Sequence, residues 1–425
     1  MATVQVNAIY CGDCKGVLHQ YIPDNSIDLI YIDPPFFSNK KYEQIWKDGY
    51  ELRAFEDRWK GGIENYLAWM DDKLRECYRV LKPTGTFWLH CDRRAVHYLK
   101  VLLDRNYLFG ESNFRNEIIW NHQILGAAHG LAFPKAHETL LRYTKSNAFT
   151  FNEHDSSVRV PFSDYILKDL KKDPKTGKWY YTRRRMSRKI REGEETHGLR
   201  TYVDDPKQGK LVGDVWGGMG DTEGIRGYQP KEKLGYPTQK PEALLNRIIR
   251  VCSNPTDIVL DPMCGCGTAI VSAQRQGRRW IGIDISPTAC KLMASRMRKL
   301  GVNISEKNII GLPKTLKEIQ EMQPFEFQNW VMQKLMARIS KTLSSDMGID
   351  GWTLDNRPIQ VKQSEGVGRN IIDNFETALT RANKKSGIIV AISFGKGAYE
   401  EVARAKLEQG LEIELKTVKD IIAQE

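Results

Sequence analysis

The fold of this chain is decided by the stretch Ser26-Ile27-Asp28-Leu29-Ile30-Tyr31-Ile32-Asp33-Pro34-Pro35-Phe36. Residues 26–32 are mostly apolar and rich in β-formers, which predicts a buried strand. Two consecutive prolines cannot continue a strand or enter the interior of a helix, so the chain must leave the strand in a rigid turn. This turn brings the Asp33 carboxylate, the Pro34 carbonyl and the Phe36 ring to one strand end, where they can hold a flat molecule that bears an exocyclic amine. A buried turn with a capping aspartate is the alternative that the turn leaves open.

The sequence on either side of this strand alternates between helix and strand patterns. Residues 65–81 predict a helix that stops at Lys82-Pro83-Thr84-Gly85, and residues 86–90 predict the next strand. The alternation returns after residue 234, with helices predicted at 241–252, 268–276 and 287–300, and strands at 257–260 and 279–283. Such an alternation predicts a mostly parallel sheet that is covered by helices on both faces.

A glycine-rich loop lies between the predicted strand at 257–260 and the helix that follows it. The loop reads Asp261-Pro262-Met263-Cys264-Gly265-Cys266-Gly267-Thr268, and its glycines let the backbone approach a ligand closely. Asp284 ends the next strand, where a carboxylate can bind two ribose hydroxyls. The third glycine of a dinucleotide site is missing, which favours a nucleoside ligand without a diphosphate. A glycine-rich turn with no ligand stays open as the alternative.

Residues 121–235 differ from the rest of the chain and predict an inserted, partly irregular region. The stretch 168–191 is dense in Lys and Arg, and Trp179, Tyr180 and Tyr181 are interleaved with these cations. The whole chain carries a net charge of +11, which favours a polyanionic partner. A solvated basic surface is the other interpretation of this stretch.

The length and the cysteine content narrow the class of protein. A chain of 425 residues is long enough for about two or three domains. Its eight cysteines do not predict a disulfide scaffold. Cys11 and Cys14 have the spacing of zinc ligands, but a zinc site that joins them to Cys264 and Cys266 is the weaker hypothesis, because both pairs lie in stretches with another explanation. We find no run long enough to span a membrane and no secretory leader, so we expect a cytoplasmic protein.

Together these motifs resemble the β-class DNA amino-methyltransferases over about residues 7–297. The pieces stand in the order of that class: Asp33-Pro34-Pro35-Phe36, then the insert, then Tyr236-Pro237-Thr238-Gln239-Lys240-Pro241, then the glycine loop and Asp284. Cys11-Gly12-Asp13, Asn116-Glu117-Ile118-Ile119-Trp120 and His137-Glu138-Thr139 also match.

The resemblance implies S-adenosylmethionine as the cofactor and a flipped base in double-stranded DNA as the methyl acceptor. It implies that Asp284 holds the ribose, that Asp13 lies near the adenine ring, and that the glycine loop surrounds the amino-acid end. Met263 stands where the family has an aromatic residue. The implied cofactor residues are Asp13, Lys240, Asp261, Met263, Gly265, Gly267, Thr268 and Asp284.

The resemblance also implies the base that is methylated and the residues that contact DNA. Asp33 at the first position of its motif goes mostly with adenine in this family, whereas Ser goes more often with cytosine, so we expect N6-adenine methylation. The catalytic set is Asp33, Pro34, Pro35 and Phe36. The DNA-binding set is Lys171, Lys172, Arg183, Arg184, Arg185 and Arg188.

Residues 324–425 are not needed by a minimal methyltransferase. We predict a small α/β domain with helices at 325–339 and 371–383 and strands near 352, at 359–361 and at 387–393. Asp350, Gln360 and Lys362 resemble the site of Mrr-type restriction endonucleases, a branch of the PD-(D/E)XK fold, in which a carboxylate such as Asp350 binds Mg²⁺. Gln328 stands where that family usually has Glu. A degenerate nuclease fold that only grips DNA is the alternative.

We therefore expect an α/β protein with a Rossmann-like S-adenosylmethionine-dependent methyltransferase sheet, an inserted target-recognition region and a PD-(D/E)XK-like tail. The predicted boundaries are 1–120 for the catalytic part, 121–235 for the insert, 236–305 for the cofactor part, 306–323 for a linker and 324–425 for the tail. Three functions stay open: a restriction–modification enzyme with both activities, a solitary N6-adenine or N4-cytosine methyltransferase with a DNA-binding tail, and a non-catalytic DNA-binding protein. The resemblance further implies a prokaryotic or phage-encoded, nucleoid-associated protein that can form a homodimer.

Overall fold

The computed structural model describes residues 4–37, 40–45, 51–57, 62–121, 136–183, 199–203, 205–217, 225, 239–340 and 348–423. Within these residues, no helix combines the length and the apolar character that a membrane crossing requires. The elements up to residue 144 are β1 (Ala8–Cys11), α1 (Cys14–Tyr21), β2 (Ile27–Ile32), β3 (Lys40–Ile45), β4 (Glu51–Asp57), α2 (Gly62–Val80), β5 (Leu81–Cys91), α3 (Val96–Leu103), β6 (Phe114–Asn121) and β7 (His137–Thr144).

The remaining elements follow in two groups. Residues 145–300 contribute β8 (Arg159–Val160), α4 (Asp164–Asp169), β9 (Lys171–Lys172), β10 (Trp179–Arg183), β11 (Leu199–Val203), β12 (Lys210–Leu211), β13 (Val215–Trp216), α5 (Glu242–Cys252), β14 (Ile258–Asp261), α6 (Thr268–Arg275), β15 (Arg279–Asp284) and α7 (Pro287–Lys299). The rest of the chain contributes α8 (Leu316–Gln320), α9 (Pro324–Lys334), β16 (Arg338–Ile339), β17 (Gly351–Trp352), β18 (Pro358–Lys362), α10 (Arg369–Arg381), β19 (Ser386–Ala391), α11 (Lys396–Gln409), β20 (Glu412–Thr417) and α12 (Val418–Ala423).

One eight-stranded sheet organises the chain up to residue 300, in the order β1-β15-β14-β2-β5-β7-β6-β13. The strands from β1 to β5 in this order are parallel, and β7 runs antiparallel to both of its neighbours. β2 is apolar on both faces, as expected for a central parallel strand. Ile30 and Ile32 pack into one core, whereas Leu29 and Tyr31 pack into the core on the opposite face. The sequence prediction of a mostly parallel sheet with two covered faces is confirmed.

The chain order reverses between β2 and β14. These strands are neighbours, with Leu29 opposite Val259, but one leads on to β5 and the other to β15 on the far side. A reversal of this kind leaves a crevice at the carboxyl ends of the two strands, because their loops diverge in opposite directions. The rigid turn after Ile32 and the glycine loop after Asp261 both open into this crevice.

Several predicted boundaries need correction. β5 begins at Leu81 rather than at residue 86, because Leu81 pairs with Ile27 ahead of an irregularity in the ladder that accommodates the proline. The predicted helix at 325–339 ends at Lys334, and Arg338–Ile339 is a strand that follows Met336, whose φ of 49° interrupts the helical geometry. The predicted insert is interleaved with the main sheet, since β7 and β13 from this segment pair with β5 and β6.

The predicted linker packs against both neighbouring regions. Ile310 forms a bridge with Tyr10 at the edge of the main sheet, and Ile319 is buried in the core of the tail. The tail has a five-stranded sheet in the order β16-β17-β18-β19-β20, antiparallel as far as β18 and parallel beyond it. Its helix α9 contacts α7, where the Gln333 amide donates to the Thr288 hydroxyl at 3.2 Å.

Candidate functional site

One cavity of about 220 Å³ opens at the carboxyl edge of the main sheet. The loops that follow β1, β2, β14 and β15 line it, because parallel strands deliver their C-terminal loops to one edge. Every residue predicted to be catalytic lines this cavity, and so does every predicted cofactor residue except Gly267. The lining residues predicted from the sequence are Asp13, Asp33, Pro34, Pro35, Phe36, Lys240, Asp261, Met263, Gly265, Thr268 and Asp284.

The turn after β2 is held in place from outside the motif. The Tyr66 hydroxyl of α2 donates to the Pro35 carbonyl at 2.9 Å, and Phe37 adopts a φ of 56° to complete the turn. Asp33 is thereby left half-buried at the cavity wall, with 17% of its side chain exposed. The Phe36 ring lies beside the His90 ring, with 5.7 Å between their centroids.

Backbone N–H groups of the glycine loop and of the turn after β15 hold the Asp284 carboxylate in place. The Gly265 N–H donates to Asp284 Oδ2 at 2.7 Å, and the Ser286 N–H donates to Asp284 Oδ1 at 2.9 Å. Gly267 has a different role from the one predicted for it. With a φ of 83°, it brings the loop so close to α7 that a Cβ atom would lie 2.8 Å from Met293 Cγ, so its missing side chain permits packing rather than ligand contact.

The carboxylates of Asp261 and Asp284 are both unusually easy to protonate. Burial raises the pKa of Asp284 to about 6, although its two backbone donors act in the opposite direction. Burial also raises the pKa of Asp261 well above its usual range, and the charges of Asp33 and Asp284 raise it further. The charge that Asp261 and Asp284 carry therefore depends on their burial and on the neighbouring carboxylates.

Asp13 is positioned at the start of α1, where its side chain accepts from the Gly16 N–H at 3.3 Å. The buried Lys73 ammonium lies 3.4 Å from its carboxylate and 4.2 Å from the centre of the Trp69 ring. Lys73 and Trp69 also line the cavity, and they are not among the residues predicted from the sequence. They lie within a helix whose pattern is otherwise amphipathic, so no local signal distinguishes them.

Lys240 lies between two carboxylates at the entrance to α5. Its ammonium is 2.8 Å from Asp33 Oδ2, 3.8 Å from Glu138 Oε2 and 4.4 Å from the centre of the Phe36 ring. Behind Glu138, the His90 Nε2 atom lies 2.9 Å from Glu138 Oε2, and His90 Nδ1 is 2.7 Å from the Tyr31 hydroxyl. His90 and Tyr31 are not among the site residues predicted from the sequence. The sequence did contain a signal for both, because each is a polar residue near the carboxyl end of a predicted strand.

The hypothesis of a zinc site at Cys11, Cys14, Cys264 and Cys266 finds no support. All eight cysteines are free thiols in buried positions. Among the residues described above, three His, Cys, Asp or Glu groups approach closely enough to share an ion at Asp373, Glu376 and Glu401 only. Glu376 and Glu401 there are neutralised by Arg404, so this cluster is a network of ion pairs.

Three of the six predicted DNA-binding residues are described, and these three lie on the small sheet β9-β10-β11. Lys171 and Lys172 are exposed on β9, and Arg183 ends β10, whereas Arg184, Arg185 and Arg188 lie outside the described residues. Lys171 pairs with Tyr180, which pairs with Tyr202, so these side chains share one face. Arg200 joins this face, with its guanidinium 4.7 Å from the Tyr180 ring centre. Arg200 and Tyr202 were missed because they follow the basic stretch in the sequence.

Of the nuclease-like residues of the tail, Asp350 directly precedes β17, and Gln360 and Lys362 lie on the neighbouring strand β18. The register of these strands puts Asp350 opposite Gln360, and Asp350 Oδ2 accepts the Val361 N–H at 2.7 Å. The Gln328 amide lies 3.4 Å from the Asp350 carbonyl. The buried Gln360 Oε1 atom has no hydrogen-bond donor within the described structure. Lys362 ends β18 and is half-buried.

Comparison with known proteins gives one family and several relatives. A sequence model of a family described as DNA methylase matches residues 27–295. The type II methyltransferase M.HinfI of Haemophilus influenzae is 28% identical over 314 residues, which cover 72% of this chain and 72% of that protein. The DNA adenine methyltransferase YhdJ of Escherichia coli K12 is 29% identical over 298 residues, which cover 69% of this chain and 83% of the relative.

The comparison with solved structures gives matches of lower similarity. The PvuII DNA methyltransferase, described as cytosine-N4-specific, is 17% identical at a TM-score of 0.40, and the match covers 72% of this chain and 90% of that one.

Proposed function

This chain belongs to the DNA methylase family, and we propose that it transfers a methyl group from S-adenosylmethionine to the N6 amine of an adenine in double-stranded DNA. One observation carries the proposal. A single cavity joins the Asp33 turn, which can bind an amine, to the glycine loop with Asp284, which can bind a nucleoside. A methyl donor and an acceptor amine must meet in such a shared space, because transfer requires the reacting atoms in contact.

The residues at the glycine loop fit S-adenosylmethionine. Asp284 lines the cavity, and each of its oxygens accepts one backbone N–H and keeps acceptor capacity for a ribose hydroxyl. Asp13 and Met263 line the same space, which is consistent with contacts to the adenine ring. Asp261, Gly265, Thr268 and Lys240 complete the proposed set, and Gly267 supports the loop from behind. When bound, the cofactor supplies a methyl group on a positively charged sulfur.

The turn after β2 supplies what the acceptor amine needs. The lone pair of an adenine amine is delocalised into its ring, so the amine is a poor nucleophile. Hydrogen bonds from the amine to the Asp33 carboxylate and the Pro34 carbonyl favour a more pyramidal nitrogen and fix its direction. A base inside the duplex cannot reach this cavity, so the adenine must leave the helix and stack on Phe36.

Adenine is favoured over cytosine by the aspartate at position 33 and by the name of the Escherichia coli relative. N4-cytosine methylation remains the alternative acceptor. The type II relative from Haemophilus influenzae supports a place in a restriction–modification system. Lys171 and Arg200, on one face of the small sheet, are the proposed contacts to the phosphates of double-stranded DNA, and Arg183, Arg184, Arg185 and Arg188 remain in the proposed set. Lys172 leaves this set, because the strand register turns its side chain to the other face of the sheet.

The test is methyl transfer to genomic DNA followed by nucleoside analysis. The purified chain is incubated with labelled S-adenosylmethionine and unmethylated bacterial DNA, and the digested nucleosides are separated by mass spectrometry. We expect N6-methyladenosine in the deoxy series, and methylation-sensitive sequencing of the same DNA gives the recognised site. N4-methylcytosine alone would reassign the acceptor, and no labelled nucleoside would contradict the proposal.

A second activity is proposed for the tail because of the Gln360 side chain. Its buried Oε1 atom has no hydrogen-bond donor among the described residues, and the strand register sets residue 360 opposite residue 350. An amide oxygen of this kind can bind Mg²⁺. Asp350 and Gln360 would hold the ion and Lys362 would orient water, so the tail would cut DNA. The opposing observation is that Asp350 is the single carboxylate in this set.

The experiment for the tail is incubation of unmethylated and methylated DNA with Mg²⁺ and the whole protein, beside a Lys362→Ala variant. Cleavage that requires Lys362 supports a combined restriction–modification enzyme. If DNA in every methylation state stays intact, the tail is a DNA-binding module on a solitary methyltransferase, and the proposed metal site is wrong.

A further inference from the structure

The Lys240 ammonium lies at both places where the acceptor base is proposed to bind, namely the Asp33 carboxylate and the Phe36 ring. Its ammonium lies 2.8 Å from Asp33 Oδ2 and 3.1 Å from Asp33 Oδ1, so it competes with the amine for both oxygens. It also lies 4.4 Å from the centre of the Phe36 ring, where the base must stack. The Phe36 ring also neighbours His90, at 5.7 Å between ring centres. The ammonium therefore competes with an adenine both for the Asp33 carboxylate and for the Phe36 ring.

The ammonium has a second partner within reach. The Lys240 side chain is 6% exposed, and moving a buried charge without a partner is costly. Glu138 Oε2 lies 3.8 Å from the ammonium, so a movement of about 1 Å gives the ion-pair distance that Lys240 now has with Asp33. The departing cation can thus remain paired throughout.

Glu138 is contacted by His90, which does not line the cavity, and His90 in turn contacts Tyr31, which does line it. The His90 imidazole is fully buried, and its Nε2 atom lies 2.9 Å from Glu138 Oε2. Its other nitrogen is 2.7 Å from the Tyr31 hydroxyl, which fixes the orientation of the ring. The three residues come from the adjacent strands β7, β5 and β2, which makes the arrangement rigid.

We propose that Glu138 is a positioning residue that takes the Lys240 ammonium from Asp33 when the acceptor base enters, with His90 and Tyr31 holding it in place. This inference rests on the proposed methyl transfer, since it concerns access of the amine to Asp33. It assigns Lys240 two positions: on Asp33 in the protein without base, and on Glu138 in the complex.

The test is a double-mutant cycle on the whole protein with Glu138→Gln and Lys240→Met. Single-turnover methyl transfer is measured at concentrations of S-adenosylmethionine that calorimetry shows to be saturating for each variant. Glu138→Gln keeps the shape but not the charge, so the ammonium stays on Asp33 and the rate should fall roughly tenfold or more. In the Lys240→Met background no ammonium blocks Asp33, and Glu138→Gln should change the rate less than about twofold.

A second readout does not require turnover. The affinity for DNA with adenine at the target position is compared with the affinity for DNA that carries purine there, which lacks the amine. The wild type should prefer adenine, Glu138→Gln should lose this preference, and the double variant should regain it. Glu117→Gln, an exposed glutamate on the neighbouring strand β6, is the matched control and should behave as the wild type.

The outcomes distinguish failure of the role proposed for Glu138 from failure of the proposed methyl transfer. Equal effects of Glu138→Gln in both backgrounds, or an unchanged rate and adenine preference in the single variant, would overturn the role of Glu138 while leaving methyl transfer intact. A wild-type protein that does not methylate DNA would instead remove the proposed function itself.

Discussion

The Lys240 ammonium and the Asp33 carboxylate, 207 residues apart in the sequence, form an ion pair at 2.8 Å across the crevice. This contact joins the turn after β2 to the start of α5, and hence the proposed base site to the part of the chain that carries the glycine loop. Both side chains line the same cavity, so the pair lies where donor and acceptor are proposed to meet.

Substitution of Gly267 tests the packing role of the glycine loop. In Gly267→Ala, a φ of 83° is strained for alanine and the new Cβ would lie 2.8 Å from Met293 Cγ, so we expect a loss of about 1–3 kcal/mol. The affinity for S-adenosylmethionine and the melting temperature should both fall. Gly277→Ala is the matched control, because its φ of 68° gives similar strain in open space. Equal losses in both variants would show that contact with α7 is unimportant.

The pH dependence of cofactor binding follows from Asp284. Its pKa of about 6 lies above the value in an unfolded chain, so protonation favours folding, and this contribution is lost as the pH rises through 6. Ribose binding needs the opposite state, since the ionised carboxylate accepts the hydroxyls. Calorimetry should show a dissociation constant that rises about tenfold per pH unit below 6. The Asp284→Asn variant should bind S-adenosylmethionine weakly, and its dissociation constant should depend less on pH. If the pH dependence of binding is the same in this variant as in the wild type, the group that titrates is another one, such as Asp261.

The buried Arg296 guanidinium stabilises the glycine loop from α7. It donates to the Cys266 carbonyl at 2.6 Å and lies 3.3 Å from Glu242 Oε1. Arg296→Met leaves both groups without this partner, and we expect a loss of about 2–3 kcal/mol, seen as a lower melting temperature. Arg298→Met, at an exposed position on the same helix, should cost less than about 1 kcal/mol. A similar melting temperature for both variants would show that the loop does not depend on Arg296.

The two lysines of β9 should contribute differently to DNA binding. Lys171 shares a face with Tyr180, Tyr202 and Arg200, whereas Lys172 points to the other face of the small sheet. Lys171→Ala should weaken binding and reduce the slope of log affinity against log salt by about 1. Lys172→Ala is the matched comparison and should leave the slope nearly unchanged. Equal changes in the two slopes would contradict the assignment of the DNA-binding face.

The sequence predicts the residues that line the cavity better than the residues that lie around it. The turn at Asp33 and the glycine loop are local motifs, and each lies at a strand end, so the parallel sheet brings them together. Lys73 could not be found in this way, because it reaches the site from the middle of a helix. His90 does end a predicted strand, but its contact with Glu138 forms only when β5 and β7 pair in the folded sheet. The contribution of β7 to the main sheet was missed for a related reason, since this antiparallel strand lies in the segment 121–235, which was predicted as an insert.

In the tail, strand and helix patterns predicted most of the first part of the domain, and the later elements α11 and β20 were not predicted.

The role of Gly267 was also misjudged. A glycine that is needed for packing against another helix has the same local sequence as a glycine that is needed for ligand contact, and only the tertiary contact with Met293 separates the two.

The most direct test of the account is single-turnover methyl transfer by Asp33→Asn, beside calorimetry of S-adenosylmethionine binding. Asparagine keeps the shape of the side chain but exchanges one acceptor oxygen for a donor and removes the charge. We predict that methyl transfer to adenine falls by roughly 10²-fold or more, while the affinity for the cofactor stays within a few-fold of the wild type. Transfer at the wild-type rate in this variant would contradict the assignment of Asp33 as the group that binds the acceptor amine.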